Sequence, residues 1–222
     1  MEAALDLSPL LLTLKVALLA TLLAFAGGVA GGFVLARASF LGKETLDAIL
    51  TLPMVLPPTV LGYYLIVLIG RNGTLGRWLE DRLGISLIFT WQGAVVAAAV
   101  VSFPLILKAA RAAFEGVDRN LENAARTLGQ REPSVLLRVT LPLAWRGILA
   151  GTLLALARAM GEFGATLMVA GNIPGRTQTL SLAVYDAVQG GNDALASTLV
   201  LITSATCVVL LVSSSRLLQV RY

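Results

Sequence analysis

The chain contains no histidine and a single cysteine, Cys207, which lies inside an apolar run. Disulfide frameworks, soft-metal sites and Cys/His nucleophiles are excluded on that ground. No Ser/His/Asp set is possible, and no phosphate-cradling loop ending in Lys-Ser or Lys-Thr is present. Catalysis by this chain is not expected, and neither is a cofactor or metal of its own. Charge is also scarce. Only 14% of the 222 residues are charged, where a soluble domain has about a quarter. The net charge of +4 comes from dispersed basic residues beside apolar runs, which argues for membrane topology and against nucleic acid. A cleaved signal peptide is not expected. The first apolar run is too long for an h-region and follows Glu2 and Asp6, with no basic n-region.

What is present in excess is apolar sequence. Hydrophobic residues make up 57% of the chain, and the mean hydropathy is +0.82. Continuous runs of about 20 residues match a hydrocarbon core of roughly 30 Å. Their continuity predicts helices, since barrel strands alternate. The expected fold is an all-α integral membrane protein with about five transmembrane helices. The spans read as Leu10–Leu35, Leu46–Ile69, Ile88–Leu107, Leu141–Phe163 and Ala194–Leu218. Residues 1–222 form one transmembrane domain that includes a charged loop, 115–142. No internal repeat or low-complexity segment appears. Between the last two spans, Gly164–Asp193 is apolar at first and then rich in turn residues. It either dips into the membrane or folds over the outer face.

Lys and Arg set the orientation. Arg37, Lys43, Lys108, Arg111, Arg119, Arg126, Arg131, Arg138, Arg146, Arg216 and Arg221 lie on one side. Arg71, Arg77, Arg82 and Arg176 lie on the other, with Arg158 near the outer end of span four. The richer side is expected to be cytoplasmic, with the N-terminus outside and the C-terminus inside. Lys15, near the outer end of span one, reads as a snorkelling anchor. Trp78, Trp91 and Trp145 fit an interfacial belt.

The charged loop carries the chemistry of a docking element. Asp118 is placed to cap a helix with Leu121, Ala124, Ala125 and Leu128 on an i, i+3, i+4, i+7 stripe. Glu122 and Arg126 stand four apart on another face. Gly129 suits the C′ position, where φ turns positive. Pro133 suits the first turn of a second helix, whose apolar side is Leu136, Leu137 and Val139. Amphipathicity alone also fits a hairpin resting on lipid headgroups.

Two groups within the membrane stand out. Pro53, Pro57 and Pro58 interrupt span two, which reads either as a broken helix beside a translocation path or as a packing kink. Arg158 and Glu162 stand four apart in span four. They read as a structural ion pair, as a contact for a translocating anion, or as a snorkelling arginine. Gly147, Gly151, Ala155 and Ala159 give span four a narrow face for another helix, and Gly27, Gly28, Gly31 and Gly32 do the same in span one.

The run Leu121–Gly129 followed by Val139-Thr140-Leu141-Pro142 resembles the cytoplasmic coupling loop of ABC-importer permeases. That motif reads EAA, three residues, Gly, nine residues, then I-x-L-P. Ala124, Ala125, Gly129, Leu141 and Pro142 match it. Asn123 stands where the family has Glu, with Glu122 one residue early, and Val139 replaces Ile. Arg158-Ala159-Met160-Gly161-Glu162-Phe163-Gly164, with Ile173-Pro174-Gly175 and Thr177-x-Thr179 beyond it, is similar to the permeases of molybdate ABC transporters. Tungstate and sulfate/thiosulfate permeases are close alternatives. A secondary transporter would more naturally show paired interrupted helices and intramembrane acids, and a channel subunit would need no docking hairpin.

The resemblance implies two copies of this chain forming a pore in the bacterial plasma membrane. Two ATPase subunits, which hold ATP and Mg, would bind the coupling loops through Glu122, Asn123, Ala124, Ala125, Gly129 and Pro142. An external solute-binding protein would deliver a tetrahedral oxyanion. Pro57, Pro58, Arg158 and Glu162 are the candidate translocation path. The motif also implies that loss of Gly129 harms coupling more than loss of the off-register Glu122.

Overall fold

The computed structural model describes residues 6–218, which contain helices and no strand. Glu2 and Arg221, used above for targeting and topology, lie outside the described residues. Helix α1 runs Ser8–Arg37 and α5 runs Trp91–Glu115. The fourth span is α8, Leu141–Met160, and the fifth is α11, Asp193–Leu218. Each is long and apolar enough to cross a membrane. The expected second span is a bent pair, α2 (Lys43–Val55) and α3 (Pro58–Ile69), with an angle of 113° between them. Pro57 and Pro58 have no N–H to give the carbonyls of Pro53 and Met54, so the helix ends there. Pro58 then suits the first turn of α3.

α5 is the central strut, packed along α1 on one side and α8 on another. Glycine makes both approaches possible. A Cβ on Gly28 would stand 2.9 Å from Ile106, and one on Gly151 would stand 2.1 Å from the Cβ of Ala109. The small-residue faces read from the sequence are therefore helix-packing faces.

Several boundaries differ from the hydropathy reading: α2 starts at Lys43 where Leu46 was expected, and α8 stops at Met160 where Phe163 was expected. α5 starts three residues late because the Thr90 side chain caps it, accepting from the Gly93 N–H. It then continues past Lys108 and Arg111 to Glu115, because hydropathy marks the end of the lipid, not of the hydrogen bonds. On the other side, the chain is helical without a gap from Glu132 to Met160. Short α7 (Glu132–Val135) enters a π turn, Leu136–Thr140, which leads into α8. In a regular α-helix the Pro142 ring would strike the carbonyl of Arg138, and the wider turn relieves that clash.

A short helix α4, Thr74–Leu83, follows α3. Trp91 opens α5, and its ring lies 3.6 Å below the ammonium of Lys15. That cation–π contact accounts for Lys15 better than snorkelling alone. The Gly164–Asp193 segment forms α9 (Gly164–Ala170), a turn, and α10 (Leu180–Gln189). α9 is buried between α3 and α5. Its seven residues span about 10 Å, too short to cross a bilayer. The Leu180 N–H donates to Thr13 Oγ1 at 2.8 Å, tying α10 to α1.

Candidate functional site: the docking hairpin and the cavity at the helix break

The hairpin is α6 (Arg119–Thr127), a turn at Gly129, and α7. The Asp118 side chain caps α6, accepting from Asn120 N–H at 2.8 Å. Gly129 takes a φ of +78°. Its N–H donates to the Arg126 carbonyl at 2.9 Å, and the Gln130 N–H donates to Ala125 at 3.1 Å. These bonds satisfy the last carbonyls of α6 in a Schellman closure. Pro133 lies in the first turn of α7.

The faces of α6 are reversed relative to a core-facing amphipathic helix. Leu121 and Ala124 are exposed, and Leu128 is 81% exposed. Asn123 and Pro142 are also at the surface, and Ala125 is partly covered. Glu122 is the buried residue, 4% exposed. Its Oε1 accepts from Arg37 Nη2 at 2.6 Å and from Thr140 Oγ1 at 2.7 Å. The acid therefore joins α6 to the end of α1 and to the π turn at the foot of α8. The i, i+4 spacing of Glu122 and Arg126 does not produce a pair. Arg126 bridges the turn instead, meeting both carboxylate oxygens of Glu132 at 2.6 and 3.1 Å and Asn123 Oδ1 at 2.7 Å. Glu122 points into the protein and holds α6 against α1 and the π turn, away from the exposed side of Leu121, Ala124 and Leu128.

A cleft of about 600 Å³ opens between α1, α6 and the start of the α7–α8 helix, with Arg37, Arg119 and Glu132 on its walls. A second polar knot lies nearby. Asp47 of α2 is 2.5 Å from Lys108 and 3.1 Å from Arg111 of α5, and Arg111 also meets Glu115 at 2.8 Å. It pins the start of α2 to α5. The sequence reading missed Arg37 and Thr140 as partners, since 85 residues separate Arg37 from Glu122. Asp47 carried a usable signal, being an acid near the start of an apolar span.

The second site sits at the break in span two. A cavity of about 260 Å³ lies between Pro53 and Met54 of α2, Pro58 and Leu61 of α3, Val101 and Leu105 of α5, and Arg158 of α8. Arg158 Nη1 is 2.8 Å from Glu162 Oε2, and the Glu162 side chain is 2% exposed against 39% for Arg158. Glu162 Oε1 also accepts from the Ala165 N–H at 2.9 Å. Pro57 makes the break without lining the cavity, and Glu162 lies behind Arg158. Arg158 lies in the last turn of α8, but that helix ends level with the middle of α5, so snorkelling is set aside. Gly147 faces Ala113 and Gly151 faces Ala109, and the same antiparallel register carries Arg158 opposite the middle of α5.

Comparison with known proteins places both features in context. The model of the family described as binding-protein-dependent transport system inner membrane component matches residues 28–221. The molybdenum transport system permease protein ModB of Escherichia coli K12 is 47% identical over 211 residues, covering 95% of this chain and 92% of its own. The putative molybdenum transport system permease protein YvgM of Bacillus subtilis is 44% identical, covering 85% and 83%. Among solved structures, the inward-facing MetNI methionine ABC transporter superposes with a TM-score of 0.76 at 19% identity, covering 96% of this chain and 94% of that one. A bacterial ABC transporter importing alginate gives 0.77 at 14% identity, covering 98% and 80%. These two likenesses concern the fold.

Proposed function

Because the chain belongs to the family of binding-protein-dependent transport system inner membrane components, we propose that it is the membrane-spanning permease subunit of an ATP-driven molybdate importer. It is an all-helical, multi-pass inner-membrane protein. The molybdenum permeases of Escherichia coli and Bacillus subtilis resemble it over most of its length, which supports molybdate as cargo. The observation that carries the mechanism is the outward apolar face of α6. Leu121, Ala124 and Leu128 are exposed, while the charge of Glu122 is turned inward. A partner ATPase subunit covers that face. Nucleotide-driven movement of the ATPase then passes through two rigid routes. One is the helix continuous from Glu132 to Met160, and the other is the Glu122–Arg37 pair into α1.

Two copies of the chain enclose the path, two ATPase subunits hold ATP and Mg, and an external binding protein delivers the anion. In proteoliposomes holding these components, labelled molybdate uptake should require ATP and the loaded binding protein. Excess sulfate should leave it unchanged, whereas uptake without ATPase subunits would overturn the assignment.

The hairpin faces the cytoplasm, with the N-terminus outside and the C-terminus inside. The motive is the cluster of Arg and Lys at the end that carries α6. A Gln130→Cys substitution in a Cys207→Ser background should resist impermeant thiol reagents in intact cells and react after lysis. Labelling in intact cells would invert the orientation and remove the docking argument.

A further inference from the structure

We propose that Arg158 is a transient contact for the translocating oxyanion, in the cavity at the α2–α3 break, and that Glu162 is the positioning residue that keeps this contact weak. The proposal rests on the transport reading above and assigns a residue to its path. Among the described residues, Arg158 is the one charged group on a cavity otherwise walled by apolar side chains from α2, α3 and α5. The cavity lies level with Val101 and Leu105, well inside the 25-residue α5. A charge at that depth is costly unless it is paired or faces water.

The asymmetry of the pair decides between a structural lock and a contact site. Glu162 is 2% exposed and held from behind by the Ala165 N–H, while Arg158 is 39% exposed. A lock would cover both partners. Here the carboxylate is fixed and the guanidinium is left open to the cavity. The closest approach is Nη1 to Glu162 Oε2 at 2.8 Å, and the exposed remainder of the planar fork is open to a ligand. A fork of donors suits two oxygens of a tetrahedral oxyanion, which a point-charge ammonium matches less well. The neighbouring carboxylate cancels the net charge of the site. Binding is then weak enough for release, as a conducting path requires.

The test uses the complete transporter in proteoliposomes, with labelled molybdate, and reads uptake and ATP hydrolysis in parallel. The double variant Arg158→Gln/Glu162→Gln removes both charges and leaves no buried ion unpaired. It should assemble and keep ATP hydrolysis stimulated by the loaded binding protein. Its uptake should fall about ten- to a hundredfold, the loss expected for one charge-assisted hydrogen bond. Arg158→Lys keeps the ion pair but not the fork and should give intermediate uptake with normal stimulated hydrolysis. Wild-type uptake in either variant would overturn the proposal. Loss of assembly, or of stimulated hydrolysis together with uptake, would also overturn it by making the pair structural. If the wild-type complex itself moved no molybdate, the transport reading would fail, and that arm is read separately.

Discussion

Glu122→Ala should abolish molybdate uptake while the protein still reaches the membrane in normal amounts. The substitution removes both bonds at Glu122 Oε1, to Arg37 at 2.6 Å and Thr140 at 2.7 Å. It also strands Arg37, whose side chain is only 16% exposed. Breaking a well-buried pair from one side costs about 3 kcal/mol, equivalent to more than a hundredfold in a local equilibrium. The cost falls on a nine-residue helix whose contacts are chiefly with α7 and the π turn. The spans should therefore insert normally, while α6 loses its fixed angle and the ATPase co-purifies poorly. Glu122→Gln keeps an acceptor for Thr140 and should be milder. The exchange Arg37→Glu with Glu122→Arg should recover part of the uptake, which a purely local helix effect would not allow. Wild-type uptake by Glu122→Ala would show that the pair carries no coupling.

Gly129→Val is expected to be comparably severe for a different reason. At φ +78° a β-branched residue is strained, at a cost of about 1–3 kcal/mol. A Cβ built on Gly129 meets nothing within 4 Å. Any defect therefore comes from the backbone and not from crowding. Gly129→Asn isolates this cause, because asparagine tolerates the left-handed region. The asparagine variant should transport near normally, while the valine variant should lose uptake and ATPase binding at unchanged membrane levels. Equal uptake by both would show that the turn does not set the docking angle. The motif alone ranks Glu122 below Gly129, since Glu122 sits one residue off the family position. Its burial removes that ranking.

Much of the fold was legible because its determinants are local. Lipid imposes a length on each apolar run, which gave the spans, although α5 continues past Leu107 to Glu115 and the fourth helix begins already at Glu132. The Asp118 cap, the Gly129 turn and the Pro133 helix start depend on neighbours within a few residues, and each lies where its chemistry requires. Pro57 and Pro58 likewise had to break span two, since missing donors cannot be restored by packing. The 113° direction of that break was not legible, because it follows from what α2 and α3 lean against. Continuity of helix through Leu136–Thr140 was hidden too, since a widened turn leaves no mark in hydropathy.

By itself the sequence determined a helical membrane protein with a charged helix–Gly–helix hairpin, its turn chemistry and its small-residue packing faces. Tertiary structure alone decided what those parts touch. Arg37 read as a topology charge until the folded chain brought it to Glu122. Arg126 read as that acid's partner until the turn swung Glu132 across to it. Arg158 and Glu162 stand four residues apart in either view, Glu162 in the turn just past the end of α8. That one is sealed and the other opens on a cavity depends on α2, α3 and α5 closing around them. The physical reason is common to all three cases. Ion pairing is set by distance and burial, and neither exists until helices remote in sequence have packed.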